Sequence, residues 1–395
     1  MEKFPCQNLI LSKLYVPSEK GMEFIMKKLL FAAVSLDIGG IETSLLTLLN
    51  ELASEKENEQ HKYDITLVLE KKQGVFLERL NKRISVIEFR PSNIKFVPIR
   101  KLINFIKQTK FKIKYKNKFD FAAAYATYSL PASFVARIAS ENCALWVHSE
   151  YMAMFNNNKS EYKKFYKNIS ADRFRNIIFV SNNAKNIFEK VFCEEKNLTN
   201  KAIVINNLID YKKIIKKSEE QLENMEKSDV YTFLNVSRHT EEDKKISKII
   251  EAAKKLKEND NKFRILLVGD GKDSNKYKNL VKEYNLEQNI VFLGKKENPY
   301  PYFKIANSFI LTSEYEGFPV VYLECMILGL AIITTDVSDS KDIINNKYGI
   351  VVDKDVNSIF EGMKKAIEFG LNINENFNYE EYNKEIIRKL TNLIE

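Results

Sequence analysis

The chain has 395 residues, enough for two or three ordinary domains. With 45% hydrophobic and 29% charged residues it can bury sizeable cores, which excludes a disordered chain. Lys+Arg 62 against Asp+Glu 53 leaves +9, yet the segment Lys95 to Lys118 alone holds nine cations and no carboxylate, so the basic pI describes one patch.

The first 25 residues are expected to be a disordered arm or a mis-assigned start, with no secretory signal, because an apolar h-region and a small-residue cleavage site are missing. The largely apolar run that follows, Leu29 to Leu36 with Ser35 inside it, spans eight residues where a membrane helix needs about 20, so no span is expected there. It reads instead as a first buried parallel strand, followed by the turn Asp37 to Ile41 and a helix carrying Leu45, Leu48, Leu49 and Leu52 at helical spacing. Further strands are predicted at Tyr63 to Glu70, Ile84 to Phe89, near Phe119 to Tyr125, Ala144 to His148, Asn176 to Ser181 and Lys201 to Asn206. Helices are predicted over 131–140 and 182–192.

Tyr211 to Ser228 is Lys/Glu-rich and reads as a linker with one exposed helix. A second series then begins. It has strands at Val230 to Ser237, Phe263 to Val268, Ile290 to Leu293, Ser308 to Thr312, Ala331 to Thr334 and Gly349 to Val352, with helices over 246–258, 273–285, 319–329 and, last, 380–394. Strands alternating with helices predict parallel sheets covered on both faces, α/β, in two Rossmann-like lobes with a cleft between them. The boundaries read as 1–25 arm, 26–207 first lobe, 208–228 linker, 229–375 second lobe, and 376–395 a terminal helix packing back towards the first lobe. Four cysteines (Cys6, Cys143, Cys193, Cys325) without a C-x-x-C pair argue against zinc and disulfides and for a reducing cytosol.

Chemistry collects at strand ends of the second lobe. Arg238 and Lys244 follow the strand 230–237, Gly269 and Gly271 the strand 263–268, and Gly294 the strand 290–293. In Glu314 to Glu324, Gly317 permits a sharp turn, Pro319 suits a first helical position, and the amides of Val320 and Val321 are free for an anion. Glu316 and Glu324 lie roughly 12 Å apart or less by helical rise. That suits two ends of one elongated ligand and is too wide for a retaining hydrolase's carboxylate pair. A cation pair with helix-start amides suggests a diphosphate between them. Asp353 and Asp355 form a D-x-D that reads as a turn, and no histidine has metal-ligand spacing.

Glu316-x7-Glu324 within S-E-Y-E-G-F-P, preceded by N-P-Y-P-Y (298–302), resembles the retaining family 4 glycosyltransferases of the GT-B fold, in particular those of bacterial capsular and surface polysaccharide assembly. G-G-I-E-T (39–43), W-V-H-S-E (146–150), F-V-S-N-N-A (179–184), I-N-N-L-I-D (205–210) and V-G-D-G (268–271) fall in that family's order.

The resemblance implies that Glu316 contacts the donor sugar's hydroxyls beside the backbone of Gly317, Phe318, Pro319, Val320 and Val321. Glu324 would hold the ribose, and Arg238 and Lys244 the diphosphate. Gly39 and Gly40 would let the first lobe's backbone approach the phosphate and acceptor. His148 would face the sugar, and the backbone near Lys295 and Lys296 the base. The Arg-to-Lys spacing is six where the family has five, which makes Lys245 a substitute for Lys244. The implied activity is hexosyl transfer from a nucleotide-sugar substrate, UDP-linked, to a glycan or polyprenyl-linked acceptor of the cell envelope, without metal or other cofactor. A catalytically silent partner subunit and a basic nucleic-acid binder are the rival readings; no nucleic-acid motif accompanies the 95–118 run. Its interleaved aromatic and aliphatic residues suit an anionic membrane surface instead, which predicts a cytoplasmic protein peripheral on the inner face of the cytoplasmic membrane.

Overall fold

The computed structural model describes residues 26–57, 59–222, 225–371 and 373–395; the expected N-terminal arm and Cys6 lie outside them. The first lobe is built on β1 (Lys27–Ala33), β4 (Tyr63–Leu69), β5 (Ser85–Glu88), β6 (Phe121–Ala124), β7 (Cys143–Val147), β8 (Asn176–Phe179) and β9 (Ala202–Val204), with a small hairpin of β2 (Lys56–Glu57) and β3 (Gln60–His61) at its margin. The sheet order is β5-β4-β1-β6-β7-β8-β9, all parallel. The second lobe uses β10 (Tyr231–Val236), β11 (Phe263–Val268), β12 (Ile290–Gly294), β13 (Ser308–Leu311), β14 (Ala331–Thr335) and β15 (Gly349–Val352), in the order β12-β11-β10-β13-β14-β15, again parallel.

The near-continuous apolar strands are what a sheet covered on both faces requires. Leu29 to Phe31, Phe121 to Ala124 and Ile265 to Leu267 are all inaccessible to solvent. Each sheet reverses direction once, between β1 and β6 in the first lobe and between β10 and β13 in the second. Ligands of such sheets sit outside the carboxyl ends of the strands at this reversal. The loops leaving β1, β6, β10 and β13 therefore decide what the protein binds.

The segment after the first lobe is not an exposed linker helix. Tyr211–Ser218 is amphipathic, buries Ile214 and Ser218, and packs on the helices Tyr300–Ile305 and Val320–Leu328. Its apolar positions Tyr211, Ile214 and Ile215 recur on one face, and the lysines that dominate its composition occupy the other. The final helix, Tyr379–Ile394, lies against the first lobe: the Asn142 amide donates to the Leu393 carbonyl (2.6 Å), and the Tyr382 hydroxyl to the Asn207 carbonyl (2.9 Å). A second tie between the lobes is Asp339, whose carboxylate accepts from the main-chain amides of Asn182 (2.8 Å) and Asn183 (2.7 Å) at the start of the helix Asn182–Val191. A buried carboxylate at a helix N-terminus satisfies orphan amides and complements the dipole.

Candidate active site

A cleft of about 790 Å³ opens between the two reversal points, lined from both lobes. Gly39, Gly40 and His148 of the first lobe and Arg238, Lys244, Glu316, Gly317, Phe318, Pro319, Val320 and Val321 of the second all reach it.

The loop after β13 carries the chemistry. The helix begins at Val320, with Pro319 as its cap residue one position earlier than the sequence suggested, and its first amides face the cleft without side-chain caps. Gly317 sits where the lobes touch: a Cβ there would lie 2.0 Å from the His148 carbonyl oxygen, so no larger residue fits. The Ser338 hydroxyl donates to the Gly317 carbonyl (2.6 Å) and steadies the turn. Glu316 is held twice, by the Ser313 hydroxyl (2.7 Å) and by the Lys244 ammonium. Lys244 and Glu316, assigned from sequence to different parts of a ligand, thus form an ion pair, each side chain about 15% exposed. A bound anion would have to share or take over Lys244. The neighbouring Lys245 turns away from this role. It adopts a left-handed backbone (φ 50°) that caps the helix Ile246–Glu258, and its carbonyl, like that of Lys244, accepts from Thr312. Lys244 is therefore the cleft cation despite the longer spacing.

Arg238 is 75% exposed and pairs with Asp243 (3.2 Å), whose other oxygen takes the Thr240 hydroxyl. This leaves a guanidinium at the rim, oriented at one end and open to an anion at the other. His148 lies beneath Tyr125, ring centroids 4.4 Å apart, and its Nε2 has no protein partner. Burial pushes its pKa down to about 3, so it is a neutral ring at the cleft, a hydrogen-bonding group and not a counter-charge.

Five residues assigned to donor binding do not line this cleft: Gly269, Gly271, Gly294, Lys296 and Glu324. Gly269 (φ 142°) packs so closely that a Cβ would meet the Ser237 carbonyl at 1.9 Å, and Gly271 abuts the His239 backbone. Their space is taken by the loop after β10. Lys296 is exposed. Glu324 is half-buried within the helix Val320–Leu328, where Tyr300 donates to it (3.1 Å) and the Lys213 charge reaches it from the helix Tyr211–Ser218. The Tyr300 and Lys213 contacts had no signal in local spacing. Asp355 of the D-x-D caps the helix Val356–Phe369, accepting from the amides of Asn357 (2.9 Å) and Ser358 (3.0 Å), which is the turn the sequence predicted. Among the described residues no group of three or more His, Cys, Asp or Glu is placed to hold a metal ion.

Burial raises the Glu324 carboxyl to about 7, from an ordinary 4.5, with Tyr300 and Lys213 opposing the rise. The folded protein therefore keeps a proton that the unfolded chain releases between those pH values. This contribution to stability is complete below about 4.5 and is lost as pH rises through about 7. Glu324→Gln should remove that slope. Melting temperatures measured from pH 5 to 8 are expected to converge at low pH and diverge in the variant's favour at high pH; parallel curves would contradict the buried-carboxyl account.

The pattern described as "Glycosyl transferases group 1" matches residues 215–385, which include every second-lobe residue above. Over these residues, less than half of its length, the chain resembles this family. It is 32% identical over 179 residues to an uncharacterized glycosyltransferase of Methanocaldococcus jannaschii, covering 44% of this chain and 42% of that protein. It is 26% identical to the N-acetylgalactosamine-N,N'-diacetylbacillosaminyl-diphospho-undecaprenol 4-alpha-N-acetylgalactosaminyltransferase of Campylobacter jejuni, over 87% of this chain and 91% of the other. Among solved structures, HepE of Anabaena in complex with UDP and glucose superposes with a TM-score of 0.70 at 18% identity, covering 92% of this chain and 99% of that one. The two-lobed fold is thus GT-B.

Proposed function

We propose that the enzyme is a retaining hexosyltransferase that uses a UDP-sugar and a glycan or polyprenyl-linked acceptor in surface polysaccharide biosynthesis, metal-independently, at the inner face of the cytoplasmic membrane. The observation that carries this reading is the Lys244–Glu316 pair beside the free amides of Val320 and Val321, with Arg238 at the rim. Two fixed cations and a helix start can stabilise the charge that develops on a diphosphate leaving group. Glu316, held by Ser313, then accepts from the donor sugar's hydroxyls, and neutral His148 donates or accepts at the sugar's reactive face. Attack on the face the leaving group vacates lets a phosphate oxygen take the acceptor proton, so that no carboxylate nucleophile is required. The solved complex with UDP and glucose and the undecaprenol-linked substrate in the Campylobacter enzyme's name support the donor and acceptor classes.

No described helix is long and apolar enough to cross a membrane. The basic run forms the helix Val97–Tyr115, which buries only Phe111 and exposes Ile99, Leu102, Phe105, Ile106 and Ile113, as an interfacial helix does.

Thermal-shift screening of nucleotide sugars tests the donor class: UDP-sugars should raise the melting temperature, and a chain that responds to no nucleotide sugar would be a silent partner subunit. Arg238→Ala should weaken UDP binding by about 1.5–3 kcal/mol, the range for a hydrogen bond to a charged group, while uridine binding stays near wild type. Titration calorimetry with both ligands distinguishes this from a general loss; equal losses would remove Arg238 from the diphosphate.

A further inference from the structure

The end of β14 and the loop after it make contacts that the donor reading does not use. They brace the main chain on both sides of Glu316. The Thr335 hydroxyl donates to the Ser313 carbonyl (2.7 Å), and the Ser338 hydroxyl to the Gly317 carbonyl (2.6 Å). Thr335 is buried, and Ser338 holds a left-handed backbone (φ 53°) that a residue with a Cβ adopts at a cost. The next residue, Asp339, is also buried and stands at the start of the short helix Ser340–Ile343. An aspartate there ordinarily accepts from the amides of its own helix. Asp339 makes no such cap. Its carboxylate oxygens reach into the first lobe instead, one to the Asn182 amide (2.8 Å) and the other to the Asn183 amide (2.7 Å).

These contacts act in series. Thr335 and Ser338 hold the Glu316 loop, and Asp339, one residue further on, fixes that brace to the other lobe. Ser313 and Lys244 orient the Glu316 side chain, but both belong to the second lobe and cannot set its place relative to His148 across the cleft. A carboxylate shared by two main-chain amides can, because such charge-assisted bonds are strong and fixed in direction. We propose that Asp339 is a positioning residue for the transfer reaction, tying the Glu316 loop to the first lobe so that Glu316 is ordered opposite His148. This rests on the glycosyltransferase reading above. It adds that the order of the Glu316 loop depends on a contact made in the other lobe, by a residue that touches neither Glu316 nor the donor.

Backbone nitrogen-15 relaxation on the full chain tests the proposal in the wild type, Asp339→Ala, Asp339→Asn and Ser338→Gly. The glycine variant removes the hydroxyl and suits the left-handed backbone. In the wild type the amides of 315–318 should have order parameters in the rigid range, about 0.85, and in Asp339→Ala below about 0.6. Ser338→Gly should loosen the same loop while leaving the Asn182 and Asn183 amide shifts unmoved, whereas Asp339→Ala should move both. With a UDP-sugar as donor, Asp339→Ala should lower kcat by about 10–100-fold, the cost of a misplaced group, with KM and UDP affinity within about threefold of wild type. Asp339→Asn keeps one acceptor oxygen and should recover part of the kcat. A residue that only stabilised the fold would lower the melting temperature without this split or the local loss of order. A mobile 315–318 loop in the wild type, an equally rigid one in Asp339→Ala, or wild-type kcat in that variant would overturn the proposal. Failure of the wild type to bind UDP would overturn the donor reading, and the order parameters would then decide the tie on their own.

Discussion

Replacing Glu316 by alanine is expected to lower turnover by about 10²–10³-fold, the cost of removing one preorganised group from a reacting centre. The carboxylate is fixed before any ligand arrives, by the Ser313 hydroxyl (2.7 Å) and by Lys244. It meets the transition state without having to be ordered, so its loss should fall on kcat more than on donor affinity. Truncation has a second consequence. Lys244, about 15% exposed, would keep its charge without its counter-ion, and a removed partner of a mostly buried pair is destabilising. Glu316→Gln separates the two effects, since the amide oxygen can still accept from Ser313 and Lys244 while the negative charge is gone. Steady-state kinetics should show both variants crippled, and melting temperatures should show the alanine variant less stable than the glutamine one. Wild-type turnover in either variant would remove Glu316 from the chemistry.

Most of the fold was legible because parallel strands buried on both faces write themselves as short apolar runs. Leu29 to Ala33 and Phe263 to Val268 could hardly be anything else, and the glycines after them marked the loops. The Glu316 loop was legible for the same reason: Gly317, Pro319 and the helix after them are local features. Long-range partner choice was not. Nothing near Asp339 announces that it will cap a helix 156 residues earlier in the chain, and nothing near Glu324 names Tyr300 or Lys213. The lysines of Tyr211–Ser218 hid a stripe that packs on the second lobe, because composition averages over the two faces of a helix. Gly269 and Gly271, expected to bind the donor, pack closely against the backbone of Ser237 and His239.

Neutralising Lys107, Lys110, Lys112 and Lys114 together by glutamine should cost about a thousandfold in affinity for anionic vesicles at low salt, at roughly 1 kcal/mol for each cation near the surface. The geometry of Val97–Tyr115 gives the reason. At 3.6 residues per turn, Ile99, Leu102, Phe105, Ile106 and Ile113 fall in one exposed stripe. Lys107, Lys110 and Lys114 run along one flank of that stripe, and Lys101 and Lys112 along the other. The opposite side carries Phe111, which packs on Phe89 (5.0 Å between centroids) and Phe134 (6.2 Å) and ties the helix to the first lobe. Within the described residues none of the nine cations between Lys95 and Lys118 is in a salt bridge; the Lys107 ammonium donates to the Arg90 carbonyl (2.9 Å), and the Lys114 ammonium lies over the Tyr115 ring. An apolar stripe of five residues bordered by lysines should lie flat on a bilayer, with the stripe in the acyl boundary and the ammonium groups among lipid phosphates. Glutamine is a good helix former, so the substitutions should leave the helix and the stripe in place. Co-sedimentation with vesicles containing phosphatidylglycerol, and with neutral phosphatidylcholine vesicles, measures the effect. The wild type should bind the anionic vesicles and lose them as salt rises towards physiological strength and beyond. Absence of binding in the wild type, or equal binding by the four-lysine variant, would make this helix a solvated face and detach the enzyme from the membrane.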